Sequence, residues 1–285
     1  GRLERGRAMV FRHIKDWDAA YANTVNIPGG ETYPGRWEKQ AASFRQFLAR
    51  EGRAELAVPY GEGERNRFDL FRPVGYSKGL VVFIHGGYWM RFDESSWSHL
   101  AAGPLEAGFA VAMPTYTLCP GNRISAITRE IGVAIETAAA LVAGPLHLTG
   151  HSAGGHLAAR MVSATSPLSG AVRSRIGNVV SISGLHDLRP MMATAMNATL
   201  RLDEDEALAE SPALLRPLPG TRIVCWAGAA ERAEFLRQSA LLANVWTGLG
   251  AATASVEEPD RHHYSVIEGL EDASHPLTRA LLATP

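Results

Sequence analysis

The stretch LHLTGHSAGGHLAARM, residues 146–161, predicts how this chain folds. A short apolar run leads into Gly-His-Ser-Ala-Gly, and a helix-like segment follows, so a strand, a tight turn and a helix are expected in succession. Gly150 and Gly154 have no Cβ, which lets strand and helix close around Ser152 and push its hydroxyl out at the end of the strand. The same pattern without this context is an ordinary glycine-rich turn. With it, the pattern predicts a nucleophile elbow, in which the helix N-terminus adds positive potential.

Strand-like and helix-like segments alternate throughout the chain after residue 80. The strands are short apolar runs, as expected for strands that are buried on both faces. This alternation predicts a mostly parallel, doubly wound α/β sheet with right-handed crossovers. The predicted strands are Leu80–Ile84, Ala110–Pro114, Leu146–Thr149, Asn178–Ser183, Arg222–Ala227 and Ala252–Glu257. The predicted helices are Ser95–Ala107, Ile124–Val142, His156–Thr165, Ala233–Gly248 and Ser274–Ala283.

Two regions depart from this alternation. Residues 54–73 read as two strands around a glycine-rich turn, which predicts an antiparallel hairpin at the edge of the sheet, after an amphipathic helix at 35–50. Residues 185–220 are helical in character and rich in Met, which predicts a helical insertion over one end of the sheet. We expect a single domain over residues 20–285, preceded by an N-terminal extension over residues 1–19. In that extension Met9 would be the natural start and residues 1–8 a remnant of cloning.

Composition narrows the classes of partner. The chain has 285 residues and a net charge of −1, and no Lys/Arg run stands out, so neither nucleic acid nor an anionic membrane is an expected partner. The first ten residues contain no apolar region typical of a secretory signal, and no stretch of 18 apolar residues occurs, so neither a secretory signal nor a membrane span is predicted and a cytoplasmic enzyme is the expectation. Cys119 and Cys225 are expected to be buried free thiols. No cofactor is predicted, and a homodimer is left open.

The segment HGGYW, residues 85–89, follows a predicted strand and is expected to supply an oxyanion hole. An acyl-transfer nucleophile needs N–H donors for the oxyanion of its tetrahedral intermediate. One donor is the N–H of Ala153, directly after the nucleophile. The others are expected from Gly87 and Tyr88, with Gly86 close by.

The catalytic base is expected after the last strand, because the order in this kind of site is serine, acid, histidine. Residues 256–270 contain the adjacent pair His262 and His263. We predict His263 as the base and His262 as a surface residue. No further ligand with recognisable spacing accompanies the pair, so zinc is not predicted. His85 is expected to hold its own loop rather than act as a base.

The acid is expected after the strand at 221–228, where Glu231 is the first carboxylate. It would hold the tautomer of His263 and stabilise the imidazolium. Glu234 is expected one turn into the following helix. Asp187, after the preceding strand, is the rival acid, although a role in bracing the insertion is favoured for it.

HGGYW together with GHSAGGHLAA, AEFLRQS and HHYSVIEGL resembles the kynurenine formamidase (arylformamidase) branch of the α/β hydrolases, near the hormone-sensitive-lipase-like esterases. The resemblance covers roughly residues 20–275 and includes AYAN, PGRW and YGEGERNRFDLFRP. It implies an α/β-hydrolase fold, with Ser152 as nucleophile, Glu231 as acid and His263 as base. The family usually has Asp at the acid position, where this chain has Glu231.

The resemblance implies hydrolysis of an N-formyl arylamine such as N-formylkynurenine, which needs an aromatic pocket. An arylamine is a good leaving group because its lone pair delocalises into the ring. The residues expected to line the pocket are Tyr33, Tyr88, Trp89, Phe92 and His151, whereas Trp37 and Trp97 are expected in the core. Arg91 or Arg189 could bind a substrate carboxylate.

Two other functions are consistent with the same residues. A carboxylesterase acting on short-chain or aryl esters would use the same triad with a different pocket. A non-catalytic binding protein with the hydrolase fold is the third alternative, and the Ser152–His263 pair argues against it because a binding module needs neither residue.

Overall fold

A single eight-stranded sheet forms the centre of the computed structural model, which describes residues 11–284. The strands are β1 Ala54–Pro59, β2 Arg67–Phe71, β3 Leu80–Ile84, β4 Ala110–Pro114, β5 Leu146–His151, β6 Ile176–Ile182, β7 Arg222–Gly228 and β8 Ala252–Glu258. Their order is β1-β2-β4-β3-β5-β6-β7-β8. Strands β3 to β8 pair in parallel, while β1 and β2 pair antiparallel with each other and β2 pairs antiparallel with β4. The predicted α/β-hydrolase fold and its edge hairpin are therefore confirmed.

Helices cover both faces of the sheet. They are α1 Trp17–Tyr21, α2 Tyr33–Arg50, α3 Ala102–Glu106, α4 Ile124–Leu141, α5 Ala153–Arg160, α6 Gly170–Arg173, α7 Asn197–Leu200, α8 Glu204–Ala209, α9 Ala233–Thr247 and α10 Pro276–Leu282. Strand β3 shows the two-layer packing: Leu80, Val82 and Ile84 point into one core cluster, and Val81 and Phe83 point into the other. All five are buried, which explains why the strand is continuously apolar. Among the helices of residues 11–284, none has both the length and the apolar character needed to cross a membrane.

The helix predicted at Ser95–Ala107 is wrong as a single element. The chain instead forms two short 3₁₀ helices, Glu94–Ser96 and Ser98–Ala101, before α3. Trp97 has φ of −133° between the two turns. Pro104 has no N–H to donate, so it fits only in the first turn of α3.

The N-terminal segment begins to pack before the predicted boundary at residue 20. Helix α1 starts at Trp17, and the Tyr21 hydroxyl donates to Glu234 Oε2 on α9 at 2.5 Å. Arg232 donates to the carbonyl of Ala19 at 2.9 Å. The expectations for Met9 and residues 1–8 lie outside the described residues.

The helical insertion at 185–220 is present as predicted. It contains the 3₁₀ helices Arg189–Ala193 and Pro212–Leu214, with α7 and α8 between them. Gln238 of α9 fixes its start, since Gln238 Oε1 accepts from the N–H groups of His186 and Asp187 at 2.9 and 2.8 Å. The insertion brings Met196 to the carboxyl end of the sheet, where the pocket lies.

Candidate active site

Ser152 lies in the turn between β5 and α5 with φ of 58° and ψ of −116°, a strained conformation for a residue with a side chain. Its N–H donates to the Ile182 carbonyl at 2.8 Å. A Cβ on Gly150 would lie 2.2 Å from the Gly154 carbonyl oxygen, and one on Gly154 would lie 1.8 Å from the Ile84 carbonyl oxygen. Only glycine fits at these two positions, so strand and helix approach closely and place the serine at the sheet edge, where it lines a pocket.

The loop after β3 passes directly over this serine. A Cβ on Gly86 would lie 3.1 Å from Ser152 Cβ. Gly87 has φ of +110°, and the loop continues with positive φ at Tyr88 and Trp89. Within residues 11–284, the N–H groups of Gly87 and Tyr88 have no hydrogen-bond partner. Ala153 is the first residue of α5, so its N–H also has no partner within the helix. These donors are therefore available to an oxyanion beside Ser152.

The loop is held from outside the pocket by buried polar groups. His85 Nδ1–H donates to the Gly86 carbonyl at 2.7 Å, and His85 Nε2 accepts from Thr115 Oγ1 at 2.9 Å. Burial lowers the pKa of His85 to about 4, so the ring is neutral. Arg65 donates to Thr115 Oγ1 at 3.0 Å and to the Phe92 carbonyl. The expectation that His85 holds its own loop is confirmed.

Glu231 and His263 are in direct contact. His263 Nδ1–H donates to Glu231 Oε1 at 2.6 Å, and both side chains are buried. The other carboxylate oxygen, Oε2, accepts from Ser183 Oγ at 2.5 Å and from the Gly228 N–H at 2.7 Å. A carboxylate held by three donors can fix the orientation of the imidazole.

His151 contacts the histidine of this pair from the opposite side. Its Nε2–H donates to the His263 carbonyl at 2.8 Å, and the two ring centroids are 4.5 Å apart. Burial, together with the charge that His263 can carry, holds the pKa of His151 well below its usual range. His151 therefore lines the pocket as a neutral ring whose donor is already used.

Ser152 and His263 line one pocket, together with the loop donors. No hydrogen bond joins Ser152 Oγ to His263 Nε2 within the described part of the chain, and neither atom has another partner there. In unliganded enzymes such catalytic hydrogen bonds are often long and tighten when substrate binds.

The pocket is a cavity of about 280 Å³ whose walls include several aromatic side chains. Phe92 and His151 line it, as predicted from the sequence, and so do Gly86, Gly87 and Tyr88 of the loop after β3. Its remaining lining residues are Asp18, Tyr21, Ala22, Asn23, Thr24, Val25, Trp37, Arg91, Trp97, Met196 and Tyr264, in addition to Ser152 and His263. Trp37 and Trp97 are buried, as expected of core residues, and they also form part of this wall.

Two of the predicted pocket residues lie elsewhere. Trp89 is fully buried behind the loop, where its Nε1–H donates to His156 Nδ1 at 3.1 Å. Tyr33 is separated from the cavity by Trp37, and its hydroxyl contacts His262 Nε2 at 3.1 Å. For Trp89, a position in the loop segment did not predict a position in the cavity wall.

The other charged candidates have partners of their own. Arg189 donates to both carboxylate oxygens of Asp187, at 3.0 and 2.9 Å, and neither residue lines the pocket. Glu234 is paired with Arg237 at 2.7 Å. Arg91 is the one Lys or Arg among the residues that line the pocket.

Ser183 and the segment Tyr21–Val25 are parts of the site that sequence reasoning missed. Ser183 directly follows β6, so its place at the carboxyl edge of the sheet was a usable signal. Residues 21–25 belong to the N-terminal segment, and no local motif associates them with Ser152.

Comparisons with known proteins agree with this architecture. The BD-FAE family model matches residues 68–216. Kynurenine formamidases of Salmo salar and Danio rerio are 32% and 31% identical to the chain, and each alignment covers 80% of the chain and 80% of the relative. The chain belongs to the kynurenine formamidase branch of the α/β hydrolases. As a member of this branch it is a hydrolase that acts on esters or amides.

One solved structure is similar to nearly the whole chain. A protein from Silicibacter sp. TM1040, described as a candidate thioesterase, is 48% identical, with a TM-score of 0.89 over 93% of this chain and 98% of that one.

Proposed function

We propose that the chain hydrolyses N-formyl arylamines, N-formylkynurenine among them, through a triad of Ser152, His263 and Glu231. The observation that carries this proposal is the 2.6 Å contact between His263 Nδ1 and Glu231 Oε1 at a pocket that also exposes Ser152. A histidine oriented by a buried carboxylate beside an elbow serine is the arrangement that activates a serine nucleophile.

In the first half-reaction, Ser152 Oγ attacks the formyl carbon while His263 Nε2 takes the hydroxyl proton. The negative charge that develops on the formyl oxygen is stabilised by the N–H groups of Gly87, Tyr88 and Ala153. His263 then gives the proton to the arylamine nitrogen, the C–N bond breaks and the amine leaves. His263 then deprotonates a water molecule, which attacks the formyl-serine ester. His263 returns this proton to Ser152 Oγ as the ester C–O bond breaks, and formic acid leaves and ionises to formate.

The pocket supports a small acyl group on an aromatic amine. Gly86 approaches Ser152 closely and leaves little room beside the serine, which is enough for a formyl group. Phe92, Trp97 and Tyr264 supply flat apolar walls for an aryl ring. Arg91 supplies a cation for a substrate carboxylate, and Arg189 is not available because it is paired with Asp187.

Ester or thioester hydrolysis is the second candidate. The 48% identical Silicibacter protein described as a candidate thioesterase favours it. The same triad would serve, since an ester or thioester also passes through an oxyanion intermediate.

The deciding experiment compares kcat/KM for N-formylkynurenine with kcat/KM for p-nitrophenyl acetate and a short acyl thioester. We expect the formamide to be preferred by about tenfold or more, because a formyl group needs less room at Ser152 than an acetyl group and the substrate carboxylate can pair with Arg91. Each 1.4 kcal/mol of such differential binding in the transition state is about a factor of ten in kcat/KM. Ser152→Ala is the control and should remove turnover of every substrate. A clear preference for esters or thioesters would overturn the formamidase assignment, and turnover by Ser152→Ala would overturn the serine mechanism.

Arg91 gives a second test that depends on substrate charge. Arg91→Gln should raise KM for N-formylkynurenine by about tenfold, the loss of about 1.4 kcal/mol of binding to a charged group. KM for formanilide, which has the same formamide but no carboxylate, should not change. An equal effect on both substrates would mean that Arg91 acts on the pocket as a whole and not on the carboxylate.

A further inference from the structure

Trp89 was expected in the pocket wall, but it instead makes a buried hydrogen bond to His156. The indole lies behind the oxyanion loop, fully buried, with Nε1–H donating to His156 Nδ1 at 3.1 Å. The carbonyl of Trp89 accepts from the Cys119 N–H at 2.8 Å. Trp89 directly follows Tyr88, whose N–H is one of the proposed oxyanion donors. Both residues have positive φ, so the loop needs contacts that hold it in this conformation.

His156 lies on the helix that begins at the nucleophile. Its N–H donates to the Ser152 carbonyl at 3.1 Å, and its Nε2–H donates to the Glu210 carbonyl at 2.7 Å. Nδ1 must therefore be the unprotonated nitrogen, which is what the Trp89 N–H requires. Burial lowers the pKa of His156 to about 3, so this neutral form persists at every pH at which a triad histidine works.

We propose that Trp89 and His156 are positioning residues of the oxyanion hole. Two donors, the N–H groups of Gly87 and Tyr88, come from the loop, and the third, the N–H of Ala153, comes from α5. The Trp89–His156 hydrogen bond joins the loop to α5, so it sets the spacing between donors that belong to different elements. The Glu210 carbonyl holds the His156 ring in the orientation that accepts from Trp89. The proposal rests on the serine mechanism proposed above.

The two nitrogens of His156 can be tested separately. Asn places its amide oxygen where Nδ1 lies, so His156→Asn keeps an acceptor for Trp89 and loses the contact with Glu210. Gln reaches to the position of Nε2, so His156→Gln keeps a donor to Glu210 and loses the acceptor for Trp89. We expect His156→Gln to lower kcat by about 10- to 100-fold, somewhat less than deletion of an oxyanion donor, with KM unchanged. His156→Asn should retain most of the rate.

Trp89→Phe removes the donor and should lower kcat as His156→Gln does. Trp246→Phe is the matched control. Trp246 is equally buried, and its Nε1–H donates to the carbonyls of Pro212 and Leu215 at 3.1 and 3.0 Å, away from the pocket. Trp246→Phe should lower the melting temperature without lowering kcat.

Reactivity with a fluorophosphonate and the inhibition constant of an aryl trifluoromethyl ketone report on the oxyanion hole independently of the natural substrate. In His156→Gln and Trp89→Phe the rate of reaction with the fluorophosphonate should fall and the inhibition constant of the ketone should rise, each in parallel with the loss of kcat/KM. The acid limb of the pH profile of kcat/KM should stay in place, because neither substitution touches His263. If the wild-type enzyme prefers esters to formamides, the formamidase assignment fails, but these two reagents still test whether Trp89 and His156 position the oxyanion hole. The proposal is overturned if His156→Asn is slower than His156→Gln, if Trp89→Phe reacts like Trp246→Phe, or if the acid limb shifts.

Discussion

Glu231 and Asp187 are two largely buried carboxylates that follow neighbouring strands, β7 and β6, and their partners differ. Glu231 accepts from the imidazole of His263, from Ser183 and from the backbone of Gly228. Asp187 accepts from Nε and Nη2 of the Arg189 guanidinium, one donor for each carboxylate oxygen.

This difference separates a carboxylate that can take part in a reaction from one that stabilises structure. A guanidinium is always charged, so the Asp187–Arg189 pair is the same at every stage of a turnover. An imidazole gains its charge only when it takes a proton, so Glu231 strengthens its interaction at the step at which the serine is deprotonated. Position after a strand does not distinguish the two, but the type of partner does.

Among the variants that test this comparison, Glu231→Gln should have the largest effect on kcat. Ser183 and Gly228 both donate to Oε2, so the amide oxygen of Gln would stay there and the NH₂ group would face His263 Nδ1. His263 would then carry its proton on Nε2 and could not accept from Ser152. We expect kcat to fall by about 10³- to 10⁴-fold with little change in melting temperature. Steady-state kinetics on folded protein test this, and a kcat near wild type would exclude Glu231 as the acid.

Ser183→Ala should have an intermediate effect. It removes one of the two donors to Glu231 Oε2, so the carboxylate is held less firmly against His263. We expect kcat to fall by about tenfold with KM unchanged, in line with the loss of one hydrogen bond to a charged group.

Ser239→Ala is the matched control for the Ser183 variant. Ser239 is also buried, on α9, and its hydroxyl has no partner within residues 11–284. Equal kcat in the two variants would show that the Ser183 hydroxyl does not support Glu231.

Asp187→Asn should have the smallest effect on catalysis, with kcat within about threefold of wild type. Its effect should appear in stability and should depend on pH. Burial raises the pKa of Asp187, but the hydrogen bonds and charge of Arg189 outweigh it and hold the pKa below its usual range.

The sign of this pH dependence follows from linkage. The lowered pKa means that ionised Asp187 stabilises the fold above its unfolded pKa of about 3.9, and that this stabilisation is lost as the pH falls further. The melting temperature of Asp187→Asn should therefore lie below that of wild type at pH 7, and the gap should shrink below about pH 4. A difference in melting temperature that widens on acidification would contradict the stabilising role of ionised Asp187. A large loss of kcat in Asp187→Asn at pH 7 would indicate that Asp187, and not Glu231, is the catalytic acid.

Much of the site could be predicted because its residues occur in local motifs. The glycines around Ser152 and in HGGYW are required by close backbone approach, and such steric requirements leave a pattern in a few consecutive residues. The expectation that the acid and the base follow the last two strands along the chain pointed to Glu231 and His263, which the structure places in contact after β7 and β8. The helix at Ser95–Ala107 was wrong because the backbone at Trp97 interrupts it, a feature that helical periodicity does not report.

By itself the sequence determined the α/β sheet, the elbow at Ser152 and the glycine-rich loop at 85–89, since these depend on backbone sterics and apolar periodicity along a short stretch. Only the tertiary structure decided which side chains face the cavity and which carboxylate meets the histidine. Trp89 turned away to His156, while Trp37 and residues from the N-terminal segment became the wall. Glu231 met His263, and Asp187 met Arg189. The Trp89–His156 and Glu231–His263 pairings join residues far apart in the chain, so the packing of the whole domain sets them. The Asp187–Arg189 pair joins residues two positions apart, and it was the tertiary structure that showed which of the two carboxylates is left to meet the histidine.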